Sequence, residues 1–231
     1  MAVKSCENLY VLRCTMPPQP VGSQKERLED LISFCHQARI DEVMFFLLPE
    51  EYNRGQYRIE HYEPWLQYLV TAQKSLKLAG LEVSLNPWAT IHPVDKGRQS
   101  LGMDFRRMIL DTGYKNLSSA CPLCEKWFGI FTKAFCDFAR AGFDTIYLED
   151  DFRFHNHNGL MGWGGCFCDH HIDTLRARGA RATTREELIA NICASGPTHP
   201  DRLIWMDLNH ETYVSLAHRL RERIDRKSTR L

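Results

Sequence analysis

Apolar positions recur along the chain in two alternating rhythms. Short, nearly continuous apolar runs lie within Asn8 to Met16 (Leu9, Val11, Leu12), Glu42 to Leu48, Leu81 to Leu85 and Thr145 to Leu148. Runs of this length read as buried strands, and Glu42 to Leu48 reads as a strand of a parallel sheet covered on both faces. Between them the spacing becomes helical. Leu28, Leu31, Ile32 and Cys35 follow the Ser23-Gln24-Lys25-Glu26 capping box and predict a helix to about Arg39. Trp65, Leu69, Ala72, Leu76 and Ala79 predict a second helix, with Pro64 near its start and Gly80 as its stop. Phe128, Phe131, Phe135 and Phe138 form the core stripe of a third, opened by Pro122 and closed by Gly142. The stretch from Pro93 to Ala120 is polar and shows no clear period. Further on, Thr184-Arg185-Glu186-Glu187 caps another helix. A last one runs from about Asp201 to Ile224, with Trp205, Leu208, Thr212, Leu216 and Leu220 along one side.

Strand and helix alternating four times is the pattern of a parallel α/β fold. No Gly-x-Gly-x-x-Gly turn follows the first strand, which argues against dinucleotide binding. Polar and aromatic residues gather instead after the C-terminal ends of several strands: Arg13, Glu50 with Tyr52, Asn86 with Trp88 and His92, and Glu149 to His157. Active sites of barrels are assembled in this way, on one face. The expected fold is therefore a (β/α)8 TIM barrel rather than an open doubly wound sheet, present as its first four or so βα units. Four units would leave the first and fourth strands as open edges. Residues 1–224 are accordingly expected to be the N-terminal half of a barrel domain. Residues 225–231, Asp-Arg-Lys-Ser-Thr-Arg-Leu, resemble a translated sequencing adapter and are expected to be non-native.

Composition narrows the function classes. The 231 residues carry 29 basic and 29 acidic side chains, so bulk charge favours neither a nucleic-acid nor a membrane-surface partner. No apolar run approaches the ~20 residues of a membrane helix, and the first residues lack an apolar signal core. A cytoplasmic location is expected, and the nine cysteines are expected to be reduced thiols, some of them metal ligands. A homo-oligomer of the full-length protein stays open.

The chemistry concentrates between Asp144 and His171. A strand runs into Glu149, Asp150 and Asp151; Arg153, His155 and His157 follow; then comes Cys166-x-Cys168-x-x-His171. The last three offer metal ligands within a short span, and zinc takes four in a tetrahedron, Cys3His being a common structural set. Cys121, before the third helix, is the natural fourth; Cys124 competes with it, and His170 with His171. Four protein ligands would make the zinc structural, pinning the loop after the fourth strand.

This arrangement resembles glycoside hydrolase family 42 β-galactosidases and related clan A barrels. In these a lone Cys before the third barrel helix joins a Cys-x-Cys-x-x-Cys run after the fourth strand to hold zinc. Cys121, Cys166 and Cys168 match that pattern, and His171 replaces the final Cys. The Thr-Arg-Glu-Glu-Leu segment and the helix through Trp205 and Asn209 look like the family's continuation. The resemblance implies hydrolysis of O-glycosidic bonds by two carboxylic groups about 5 Å apart. The family's acid/base is a Glu following an Asn at the end of the fourth strand; Asp151 falls on that Glu and Asp150 on that Asn. The family's nucleophile, a Glu ending the seventh strand, has no counterpart in this sequence.

On this reading Asp151 is the acid/base, its pKa raised by the adjacent acids, and Glu149 orients it or binds sugar. Strand alternation would put Glu149 and Asp151 on one side and Asp150 on the other. Arg153 and His155 would hold substrate hydroxyls or keep the acids ionised; Asn86 would line the carbohydrate site, and Trp88 and Trp163 would stack on sugar faces. Two other functions fit the residues. Asp150 or Asp151 with His155 and His157 would suit a metal-dependent hydrolase. The departure from the Asn-Glu pair would suit a carbohydrate-binding barrel without turnover.

Overall fold

The computed structural model describes residues 8–18, 21–92, 103–150, 152–153 and 164–228. Two compact units are distinguished. The first takes its described residues from Met1–Asn53, Tyr57–Trp88 and Asp137–Glu149; the second from Arg54–Gln56, Ala89–Cys136 and Asp150–Leu231.

The first unit is a parallel sheet of β1 (Val11–Cys14), β2 (Glu42–Leu47), β3 (Glu82–Pro87) and β6 (Thr145–Ile146), in the order β1-β2-β3-β6. Its edges are the first and fourth of these strands, as the sequence pattern predicts. Helix α1 (Val21–Ala38) joins β1 to β2, and α2 (Ile59–Leu78) joins β2 to β3 and packs on both. Each strand presents two unlike faces. Val43, Phe45, Leu47, Val83 and Leu85 are fully buried on one. The register pairs Met44 with Ser84 and Phe46 with Asn86 on the other, which mixes apolar and polar side chains. Both faces of β2 are covered, as its apolar run predicts, with only Met44 half-buried, and Glu42, Ser84 and Asn86 bring buried polar groups to the second face.

Strand β1 is only half-buried, and Leu9, just before it, is 58% exposed rather than part of a buried run. An edge strand has one neighbour, so its side chains meet less of the core. Helix α1 begins at Val21, which places Ser23 inside the first turn instead of at a capping box. Helix α2 buries Trp65, Leu69, Ala72 and Leu76 as predicted, and Tyr62, Tyr68 and Gln73 besides. It ends in a Schellman motif: Gly80 adopts φ +85°, Leu81 N–H donates to Leu76 C=O (3.1 Å) and Gly80 N–H to Lys77 C=O (3.0 Å).

The second unit opens with a hairpin, β4 (Arg107–Ile109) and β5 (Lys115–Ala120), which no hydrophobic period announces. Helix α3 (Glu125–Arg140) follows, then α4 (Asp169–Ala177), α5 (Arg185–Cys193) and α6 (Pro200–Ser228). The phenylalanine stripe of α3 is core: Phe128, Phe131 and Phe135 are each 1% exposed, and Trp127 stacks on Phe131 at 5.0 Å. Trp127 Nε1 donates to Gln56 Oε1 (3.0 Å), and Gln56 Nε2 donates to the carbonyls of Ile91 and Ser118 (both 3.2 Å). That buried amide ties α3 to the hairpin. Phe167, Ile172, Leu175, Leu188, Ile192 and Leu208 form a second core shared by α4, α5 and α6. Thr184 caps α5 as predicted, accepting from Glu187 N–H (3.1 Å), while the Glu187 carboxylate accepts from Thr183 N–H (2.7 Å). Among the described residues no helix is long and apolar enough to cross a membrane.

Candidate functional site

Four side chains meet in the second unit: Cys121, Cys166, Cys168 and His171, all buried, their ligand atoms within 4.8 Å of one another. Local structure places each. Strand β5 runs directly into Cys121, whose N–H donates to Arg106 C=O (2.9 Å). Phe167 N–H donates to Ile109 C=O (2.7 Å), which fixes the Cys166–Cys168 segment against the same hairpin. Cys168 is the N-cap residue of α4 and accepts His171 N–H at its carbonyl (2.8 Å). A residue at the N-cap and another three positions on share one helix face, so Cys168 and His171 point together. Cys124 and His170, the competing ligands, are not members of the group. Cys124 Sγ instead accepts Arg106 N–H (3.3 Å), and His170 is exposed.

Within the group Cys121 Sγ and Cys168 Sγ are 3.8 Å apart, and each lies 3.4 Å from His171 Nδ1. Hydrogen bonds from Cys121 and Cys166, with His171 alongside, hold the Cys168 thiol far below the ordinary thiol range. Cys121 is pushed up because it donates to those sulfurs. Burial pushes Cys166 up to about 12. A bound cation would favour ionisation of all three thiols. This buried Cys3His group can hold a metal ion. No disulfide joins any of the eight described cysteines.

A second constellation lies at the C-terminal ends of the strands of the first unit. Asn86, near the end of β3, donates from Nδ2 to Glu149 Oε2 (3.0 Å), and Arg13 Nη2 lies 3.6 Å from Glu149 Oε1. Arg13 also sits over the Phe46 ring at 4.5 Å, and Trp88 meets that ring edge-on at 5.7 Å. Asn86 Oδ1 and Trp88 Nε1 are buried and have no hydrogen-bond partner among the described residues. Deeper on the same face the Glu42 carboxylate accepts from Ser84 Oγ. Burial and Glu42 together push the Tyr147 phenol up.

The structure brings Glu149, Asn86 and Trp88 to one place. The route differs from the strand alternation argued above, because β6 ends at Ile146 and Glu149 reaches Asn86 from a turn beyond it. Arg13 is the partner that the sequence offered only as a strand-end residue. Asp150 is exposed and Arg153 half-buried, and both belong to the second unit. Asp151, His155, His157 and Trp163 lie outside the described residues.

No family model matches this sequence, and no curated protein does. Among solved structures the chain is similar to a cold-adapted β-galactosidase from Rahnella sp. R3, with a TM-score of 0.57 and 14% identity. The match covers 99% of this chain and 35% of that one, so this chain spans about a third of that enzyme's length. The likeness is one of fold: a mixed α/β arrangement with a four-stranded parallel sheet, compatible with part of a TIM-barrel-like unit and similar to that glycoside hydrolase.

Proposed function

We propose that this chain is the first half of a glycoside hydrolase-like (β/α)8 barrel of the family 42 kind, acting on β-galactoside-type O-glycosidic bonds. The observation that carries the reading is the polar strand-end cluster. A carboxylate held by an amide and a guanidinium has two buried polar neighbours, Asn86 Oδ1 and Trp88 Nε1, without protein partners among the described residues. Buried polar atoms demand hydrogen bonds, and sugar hydroxyls both donate and accept. Glu149 and Asn86 would bind hydroxyls, Trp88 would offer its indole N–H and ring, and Arg13 would keep Glu149 ionised. Asp151 remains the proposed acid/base, with Arg153 and His155 as substrate contacts. The nucleophile would come from a later strand of the barrel.

Zinc is the metal we assign to the Cys3His group. A tetrahedron with Zn–S of about 2.3 Å and Zn–N of about 2.0 Å has S···S edges of about 3.8 Å and S···N edges of about 3.5 Å. The observed 3.8 Å and 3.4 Å separations fit these edges. Four protein ligands leave no position for substrate, so the ion would act as a cross-link between the hairpin and α4.

Titration of the 231-residue chain with galactose, followed by tryptophan fluorescence and by NMR, tests the reading. Saturable binding is expected, weakened about tenfold or more in Asn86→Ala and in Glu149→Gln, with no release of p-nitrophenol from a p-nitrophenyl β-galactoside. Absence of binding, or binding indifferent to both substitutions, would sink it.

A further inference from the structure

Away from the strand ends the second unit carries a cleft of about 560 Å³ with an unusual charge balance for a chain of zero net charge. Its walls present five cations, Arg106, Arg107, Lys115, Lys126 and Arg185, against two acids, Asp104 and Asp169. One of the acids is already engaged, since Lys126 pairs with Asp104. Arg185 likewise pairs with Glu186, so three acids oppose the five cations and a surplus of two positive charges, five less three, remains.

Two of the cations, Arg107 and Arg185, are held in place before any ligand arrives. The Arg107 guanidinium lies over the Phe105 ring at 3.7 Å. The Arg185 guanidinium lies on the bare backbone of Gly113, where a Cβ would meet it at 3.0 Å. Gly113 itself adopts φ +84°, so the hairpin turn and the arginine seat depend on the same residue. Helices α3, α4 and α5 all contribute residues from their first turn or cap: Cys124 and Lys126, Cys168 and Asp169, and Arg185. No side chain caps the N-terminus of α4.

We propose that this cleft binds a small phosphomonoester, its phosphate dianion held by Arg106, Lys115 and Arg185. The Arg185 guanidinium, seated on Gly113, offers a planar pair of donors to phosphate oxygens, and a surplus of two charges matches a phosphate dianion. The volume exceeds the need of a phosphate ion alone and falls in the range of small-molecule sites, so the phosphate is carried on a sugar-sized body. The proposal is independent of the glycosidase reading: it uses none of Glu149, Asn86 or Trp88 and needs no hydrolysis.

The test is calorimetric titration of the whole chain with glucose 6-phosphate, inorganic phosphate and glucose at constant ionic strength. Saturable binding of glucose 6-phosphate at one site per chain is expected, with inorganic phosphate weaker and glucose silent. The double substitution Arg106→Gln with Lys115→Gln, at two exposed positions, should weaken binding about tenfold or more. Lys74→Gln, on an exposed position of α2, should leave it unchanged. Equal affinity for inorganic phosphate and the sugar phosphate would support the anion site and assign it to free phosphate. Unsaturable heat, or the same loss in Lys74→Gln as in the double variant, would overturn the proposal. Matching unfolding midpoints of the variants and the wild type exclude loss of fold as the cause.

Discussion

The two units bury comparable aromatic and aliphatic cores, yet they depend on different things to stay folded. The first is a parallel ladder with an apolar face of Val43, Phe45, Leu47, Val83 and Leu85, all fully buried and pressed against helix. Its stability comes from area removed from water and from ladder hydrogen bonds, neither of which needs an ion. The second contains a three-residue strand, a nine-residue α4 and a nine-residue α5. Helices that short are marginal alone. What joins them at the hairpin end is a group of three thiols and an imidazole. A thiol cluster of this kind stabilises little while protonated and a great deal when a cation turns it into a cross-link. The lesson is that metal dependence should be local, confined to one unit of a single chain.

The largest expected effect breaks that comparison if it spreads. Removing the metal with a chelator, or substituting Cys168→Ser, should expose the hairpin and α4 while the β2–β3 ladder stays protected. Apparent binding free energies of structural zinc reach about 10 kcal/mol in small peptides, so loss of the ion would exceed any single side-chain effect in the unit. Hydrogen exchange read peptide by peptide, beside metal content by elemental analysis, checks this. Equal loss of protection in β2 and β3 would mean that the two units are one cooperative body, and a wild type without bound metal would end the zinc assignment.

A smaller effect sharpens the comparison from within the second unit, because it removes a polar clasp and leaves the thiols alone. Asp201 is fully buried near the start of α6 and accepts from Arg181 N–H (2.8 Å), Ala182 N–H (2.9 Å) and Asn191 Nδ2 (2.8 Å). Burial alone would raise this carboxyl, but the two backbone donors and the Asn191 amide outweigh it and leave it lowered. Asp201→Ala would strand one buried donor, Ala182 N–H, and two part-buried ones, at a cost of about 2 kcal/mol. The urea midpoint of the second unit should fall accordingly with metal content unchanged. A shift under about 0.5 kcal/mol would show that solvent reaches those donors after all.

The difference between the units also explains what could be read from sequence. Strand order, the α2 and α3 faces and the Cys166, Cys168 and His171 part of the Cys3His group were legible because each follows a rule of spacing: continuous apolar runs, phenylalanines along one side of a helix, Cys-x-Cys-x-x-His. The hairpin was not. Strand β5 buries Asn116, Ser118 and Ser119 in place of apolar residues. Asn116 Oδ1 accepts from the N–H of both Ser118 (2.9 Å) and Ser119 (2.7 Å), and His92 bonds Ser119 Oγ. A strand whose polar side chains are satisfied internally carries no hydrophobic period, and the register slip between Arg107 and Ile109 removes what alternation was left. Its one signal was Gly113 between Leu110 and Tyr114. The Glu149–Asn86–Arg13 cluster was legible as residue types but not as a contact, since Glu149 lies past the end of β6, where strand alternation no longer applies.

The smallest effect separates the units by their response to acid. Asp144, just before β6, accepts from Lys77 Nζ (2.7 Å) and Val83 N–H (3.2 Å). Lys77 holds its carboxyl below the ordinary value, with burial opposing and the Val83 N–H assisting. A carboxyl whose folded pKa is depressed contributes stability that is fully present above its unfolded pKa, about 3.9, and is lost as pH falls through the lower folded value. Its side chain is 46% exposed, so solvent screening leaves the pair worth about 0.5 kcal/mol at neutral pH. Asp144→Asn should lower the first unit's urea midpoint by that small amount at pH 7, less at high salt, and progressively less as pH falls through the depressed folded value. The second unit should respond to acid earlier and more strongly, because protons compete with the metal for three sulfurs as pH falls. Native-state exchange followed from pH 7 to pH 4 should therefore show α4 opening while β2 and β3 keep their protection. Simultaneous opening would place the acid sensitivity in the carboxylates of the whole chain and remove the distinction between the units.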